Sequence, residues 1–268
     1  MNGPIPIPSR PDLPAPPGGG EWVDADARPS ATWSWYLALA VYVLALIATG
    51  IVLDLVLSLF GVSVSASGAS GPTEIVASIA VDLGISAILL FWLQRWHSTW
   101  VRIIGFPARD RLGREFAWGV LAGCVLYPAI AFGIGIVLTL LFEAVFGSDV
   151  TAPEQLAPHL GILGSIAAVV LAVVVAPASE ELFFRGIFFR SLRDRYGFWP
   201  GAVGSALLFG LAHYVPSAWQ DALLLQTIMV FTGIGLAWIY ERRGNLVANI
   251  AAHMTFNTIG IVLILAVH

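Results

Sequence analysis

The chain has 268 residues, of which 58% are hydrophobic and 11% charged, and its mean hydropathy is +0.84. That composition excludes a soluble globular domain and points to a polytopic membrane protein. The net charge of −4 says less than the placement of the charges, and no nucleic-acid partner is expected. The single cysteine, Cys124, lies in an apolar run, which rules out a disulfide within the chain and any cysteine-based zinc site.

Residues 1–32 hold half of the sixteen prolines and the triplet Gly18 to Gly20, with no apolar run before Trp33. They read as a disordered cytoplasmic tail with some polyproline-II tendency, and not as a signal peptide. Beyond them the pattern is helical. A transmembrane barrel would show short alternating segments, which are absent, so the expected fold is an all-α bundle with its backbone satisfied inside each span. Seven segments approach the roughly 20 apolar residues needed to cross a bilayer. They run from about Trp35 to Leu59, Glu74 to Leu93, Glu115 to Phe142, Leu160 past Arg185, Trp199 to Tyr214, Ala222 to Tyr240, and Leu246 to Val267.

All thirteen basic residues are Arg, and they cluster at Arg10 and Arg28, Arg95 to Arg114, Arg185 to Arg195, and Arg242 and Arg243. The loops around 61–73, 144–159 and 215–220 carry none. The positive-inside rule then predicts a cytoplasmic N-terminus and a multi-pass protein of the plasma membrane. Trp33, Trp35 and Tyr36 read as interfacial anchors, and Trp92, Trp96 and Trp100 as an aromatic strip beside Arg95, His97 and Arg102. His97 is expected to be solvated, as is His159 in its acidic loop. Asp54 reads as an interfacial carboxylate and Asp82 as a buried hydrogen-bonding group. The pair Gly119 and Gly123 predicts close helix packing, and Pro128 a kink. The organisation that follows is a tail over 1–32, three spanning helices over 33–158, and a C-terminal unit over 159–268.

Three polar clusters interrupt the apolar helices of that unit. An ionisable side chain costs roughly 2.5–3.5 kcal/mol at the centre of a spanning helix, so Glu180 and Glu181 mark a functional site. At about 100° per residue, Arg185 lies near Glu181 and far from Glu180. Arg185 can therefore neutralise Glu181 and leave Glu180 free for chemistry. The second cluster is Phe209-x-x-x-His213. The third is His253-x-x-x-Asn257, whose spacing sets imidazole and amide on one helix face. A buried glutamate can take a proton from water, histidine can hold a water, a metal or an oxyanion, and asparagine can serve as a neutral hydrogen-bond partner.

These three motifs, in this order and on separate helices, resemble those of the CAAX prenyl protease and bacteriocin-processing (CPBP, or Abi) family of intramembrane proteases. The resemblance covers roughly residues 160–262. It implies hydrolysis of a peptide bond in a membrane-embedded or lipidated protein or peptide, in a chamber open towards the cytoplasm. It further implies that Glu180 and His213 activate the water and that His253 and Asn257 stabilise the oxyanion. Glu181, Arg185 and Phe209 would then support the site. Glu180, His213 and His253 would also suffice as ligands for a catalytic zinc ion. Without a His-Glu-x-x-His helix, however, no second carboxylate is placed to act as base, and the residues favour a glutamate-activated water. Two other classes fit the same polar residues: a non-enzymatic scaffold that binds a peptide or a sensor kinase, and a proton-coupled transporter. The transporter lacks support from paired repeats with broken helices.

Overall fold

The computed structural model describes residues 29–62, 71–147, 150–153 and 160–267. Among them every regular element is helical. Helix α1 is Trp35–Leu59, α2 Pro72–Trp96 and α3 the short Trp100–Ile104. Helix α4, Leu112–Pro128, passes through a π-helical stretch, Ala129–Gly135, into α5, Ile136–Phe146. Helix α6, Gly161–Val170, continues through π-helical Leu171–Val175 into α7, Ala176–Glu181. A third π-helical stretch, Leu182–Phe189, leads into α8, Arg190–Tyr196. Helices α9, Phe198–Ala212, α10, Trp219–Arg243, and α11, Leu246–Val267, complete the chain.

Among the described residues six helical stretches are long and apolar enough to cross a membrane: α1, α2, Trp100–Phe146, Gly161–Tyr196, α10 and α11. The protein is a multi-pass membrane protein. Helix α9 is the exception among the seven expected spans. Its 15 residues give a rise of about 22 Å, short of the roughly 30 Å of hydrocarbon. Gly210 packs on Val230 and Gly233 on Ala206, so α9 runs beside the C-terminal half of α10 and stops alongside its middle. The expected span Trp199 to Tyr214 is therefore a helix that ends inside the bundle. The kink expected at Pro128 takes the form of the π-helical stretch that begins directly after it.

With little hydrophobic drive between helices in lipid, association rests on close packing and on polar contacts. The closest packing joins α4 to α11, where a Cβ on Gly119 would collide with the Ala248 carbonyl and one on Gly123 with that of Ala252. At the other centre of packing, all eight residues of Leu182–Phe189 are buried. They are enclosed by Ala38 of α1, Leu89 and Leu93 of α2, Ile103 and Ile104 of α3, Phe209 of α9 and Tyr240 of α10. Trp33 and Trp92 belong to this core, at 5% and 7% exposure, and not to the interface where an aromatic belt would place them. The Trp33 indole N–H donates to the Ile187 carbonyl, and a tryptophan N–H goes inside when it has such an acceptor. His97 is held edge-on by both indoles, with Nδ1 2.8 Å from the Thr32 hydroxyl, so it is half-buried. Burial shifts its imidazole below the ordinary histidine range.

Asp54 is exposed, as expected of an interfacial group. Asp82 is half-buried, but among the described residues it offers only its backbone carbonyl, to the Ser179 hydroxyl at 3.2 Å, and the expected side-chain hydrogen bond is not formed. His159 and the tail over 1–28 lie outside the described residues. Of the remaining expected tail, Ala31 N–H donates to Asp194 at 2.8 Å and Arg190 donates to the Pro29 carbonyl at 3.1 Å.

Gly119→Ala should destabilise the fold by about 1–3 kcal/mol, because the new methyl meets backbone that cannot yield. Gly113→Ala on the same helix meets nothing within 4 Å and should be neutral or slightly stabilising. Thermal unfolding of the two variants in detergent checks the pair.

Candidate active site

Glu180 and Glu181 close α7 and face opposite environments. Glu181 is fully buried. Its Oε1 accepts from Arg185 Nη1 at 2.8 Å and from His253 Nδ1 at 2.8 Å, and its Oε2 accepts from the Asn249 side-chain amide. The i,i+4 pairing of Glu181 with Arg185 forms even though the helix widens into a π stretch between them. The Arg185 guanidinium also donates to the Gly233 carbonyl of α10 at 3.3 Å and lies 4.4 Å from the centre of the Phe209 ring. A buried charge needs partners on every side, and this carboxylate has three donors from two other elements.

The Glu180 side chain keeps 25% of its surface exposed and turns to the other side of the helix. His213 Nε2 lies 3.9 Å from its Oε1, and His253 Nε2 lies 3.9 Å from its Oε2. These gaps are too long for direct hydrogen bonds, and each is suited to bridging by a water molecule. In both imidazoles the other nitrogen is already engaged. His253 Nδ1 donates to Glu181, and His213 Nδ1 donates to the Phe209 carbonyl at 2.8 Å. A carbonyl can only accept, so Nδ1 of His213 carries the proton and its Nε2 presents a lone pair towards Glu180.

The Phe209-x-x-x-His213 spacing thus has a local cause. At the end of α9 the His213 N–H bonds Gly210 in place of Phe209, and the imidazole takes over the Phe209 carbonyl. The Phe209 ring is fully buried, 4.3 Å from the His213 ring centre and 5.9 Å from that of His253. The same ring also packs against the Arg185 guanidinium.

Glu180, Phe209, His213, His253 and Asn257 line one cavity of about 710 Å³. The rest of its wall is largely apolar, including Ile130, Ile136, Leu225, Met229 and Ile261. These residues come from the first half of α10, from α11 beyond His253 and from Tyr127 to Leu140. The cavity therefore extends away from the end of the bundle that carries Arg193, Arg242 and Arg243. Asn257 shares it but commits one amide N–H to the Ala172 carbonyl at 2.7 Å, leaving the second for a ligand.

Asn249 is the site residue that the motifs did not include. Its signal was present in the spacing, since Asn245, Asn249, His253 and Asn257 recur every fourth residue and share one face of α11. Asn245 starts that row as a cap, its Oδ1 accepting from Ala248 N–H at 2.9 Å.

The donor types of Glu180, His213 and His253 suit a zinc ion, and both free Nε2 atoms face the carboxylate. Their spacing does not, because ligands on a tetrahedral zinc stand roughly 3.4 Å apart. Among the described residues no group of three His, Cys, Asp or Glu side chains is close enough to hold a metal.

Comparison with known proteins bears on this same half of the chain. Residues 162–259 match the family model described as type II CAAX prenyl endopeptidase, Rce1-like. That segment is similar to the Rce1-like family. "Putative membrane peptidase YdiL" of Bacillus subtilis (strain 168) is 34% identical over 95 residues, 35% of this chain and 36% of that protein. An "Uncharacterized 24.3 kDa protein" of Escherichia coli is 34% identical over 90 residues, 33% of this chain and 40% of that protein. "UPF0177 protein YxdF" of Lactococcus lactis subsp. lactis (strain IL1403) is 27% identical over 125 residues, 47% of this chain and 66% of that protein. The chain thus spans less than half the length of the first two relatives. No solved structure matches it. The matched segment contains all three motifs and all the residues that meet at Glu180 and Glu181.

Glu181→Ala should cost about 3–5 kcal/mol, because it leaves the Arg185 guanidinium buried and unpaired. Glu180→Gln, at a side chain with no direct hydrogen bond among the described residues, should unfold at nearly the wild-type temperature. Thermal unfolding in one detergent distinguishes them.

Proposed function

We propose that the protein is an intramembrane endopeptidase acting on a membrane-associated protein or peptide. The observation that carries this reading is the convergence of two imidazole Nε2 atoms on Glu180, each at 3.9 Å, in the wall of one largely apolar cavity. The Rce1-like match supports the reaction class.

In this reading Glu180 takes a proton from a water that also donates to the lone pair of His213 Nε2. The hydroxide oxygen bonds to the substrate carbonyl carbon, and the carbonyl becomes an oxyanion. Asn257 donates its second amide N–H to that oxyanion, and His253, as an imidazolium steadied by Glu181, donates Nε2–H. The C–N bond then breaks as protonated Glu180 returns its proton to the leaving nitrogen. The apolar part of the substrate occupies the cavity. His253 stands seven residues, about 11 Å, into α11 from the Arg-bearing end, which the positive-inside rule makes the cytoplasmic one. The bond is therefore cut in the cytoplasmic half of the membrane. If a zinc ion were held by Glu180, His213 and His253, it would supply a bound water of lowered pKa.

Glu180→Gln should reduce processing by about 10²–10⁴-fold while the protein still inserts and folds. Mass spectrometry of membrane-derived peptides from cells carrying either form checks this, and unchanged processing would leave the non-enzymatic scaffold as the better reading. Purified protein with no bound zinc and unchanged turnover in chelator fits the glutamate-activated water; loss of turnover restored by zinc would replace it with a metal mechanism.

A further inference from the structure

The segment joining α2 to α4 has a surface that the site does not use. Between Arg95 and Arg114 there are five arginines and one acidic residue, Asp110. All five arginines are exposed. Among the described residues the guanidinium groups of Arg102, Arg109 and Arg111 have no hydrogen bond or ion pair. The carboxylate nearest Arg114, that of Glu115 at 3.7 Å, is already held by Arg243 at 2.7 Å and by Asn245. Interleaved with these cations are exposed apolar side chains: Trp96, Val101, Phe106 and Leu112.

The position of the segment says what this mixture meets. It starts where one spanning helix ends, at Trp96, and finishes where α4 begins, at Leu112. It therefore lies at the level of the lipid headgroups. It is also anchored. Ile103 and Ile104 are fully buried, the Tyr240 hydroxyl donates to the Ile104 carbonyl at 2.7 Å, and Leu246 N–H, at the start of α11, donates to the Gly105 carbonyl at 2.9 Å. Gly105 takes φ +79°, and any side chain there would strike Gly244. The cations are thus carried on a fixed platform that also caps the helix bearing Asn249, His253 and Asn257.

We propose that residues 95–114 form a binding surface for anionic phospholipid headgroups, with the guanidinium groups on the phosphates and Trp96, Val101, Phe106 and Leu112 among the acyl chains. Guanidinium forks match phosphate oxygens in pairs, and an interfacial segment needs the apolar side chains as well as the charge. A soluble polyanion would use the arginines and leave those apolar groups in water. This inference does not depend on the proteolytic reading.

The test uses the full chain in detergent micelles, with phosphatidylglycerol, phosphatidylcholine or inorganic phosphate added, and reads binding of a fluorescent phosphatidylglycerol together with thermal unfolding. Phosphatidylglycerol should bind and raise the unfolding temperature, and the other two should do neither. Arg102→Gln, Arg109→Gln and Arg111→Gln together should weaken binding about a hundredfold, each charge contributing about a factor of five. The matching triple Lys variant should retain most of it. Equal effects of phosphatidylcholine or of phosphate, or undiminished binding by the triple Gln variant, would overturn the proposal.

Discussion

The buried carboxylate of Glu181 is the constraint on which the rest of the site depends. It draws in a guanidinium from its own helical stretch, and an imidazole and an amide from α11. Through Arg185 it also reaches the backbone of α10 at Gly233. A charge so placed is tolerated only while these donors remain, so the donors are fixed by the same cost that keeps the charge rare. The consequence for chemistry is indirect. With His253 Nδ1 committed to Glu181, only Nε2 of that ring is left to face Glu180, and a carboxylate hydrogen-bonded to the far side of the ring sets its orientation. Glu180 can then stand half-exposed beside the cavity without being neutralised by the arginine one turn away.

The π-helical stretches supply the second part of the design. Widening a helix by one residue frees carbonyl groups, and in lipid a freed carbonyl needs a donor from elsewhere in the protein. The donors are present. In Leu182–Phe189, the Phe184 carbonyl accepts from the Ser205 hydroxyl of α9 at 2.9 Å and the Ile187 carbonyl from the Trp33 indole at 3.0 Å. In Leu171–Val175, the Ala172 carbonyl accepts from Asn257 at 2.7 Å. These two irregular stretches are thus tied to another element by a side chain, and one of those ties holds a cavity residue in place.

What could be read from the sequence follows from what helical periodicity records. The Glu181–Arg185 contact and the shared face of His253 and Asn257 are local relations along one helix, and they appeared as spacings of four. The choice between core and interface is not local. Trp33 and Trp92 carry the signature of an aromatic belt, and only the tertiary acceptor at Ile187 and the edge contacts with His97 explain why they are inside. Asn249 was passed over because a neutral amide in an apolar helix is an ordinary packing group, although its place one turn before His253 was visible. The end of α9 falls at Ala212, two residues before the expected Tyr214, in a stretch, Leu207 to Val215, that stays apolar apart from His213. Pro216, which disfavours helix at the residue before it, was the available stop signal.

That early end of α9 has a physical use. A helix that stops in the membrane exposes the carbonyls of its last turn, and at Phe209 the cost is offset by the His213 imidazole. The same bond fixes the proton on Nδ1 and so leaves Nε2 as an acceptor directed at Glu180. Had α9 continued as a full span, the Phe209 carbonyl would have taken a backbone N–H and the ring would have been free to choose either tautomer. The shortness of α9 and the protonation state of its terminal histidine are therefore one feature, and Glu181 imposes the same tautomer on His253 by a different route. Two unrelated acceptors, one backbone and one side-chain, thus fix Nδ1–H on two imidazoles on either side of a single carboxylate.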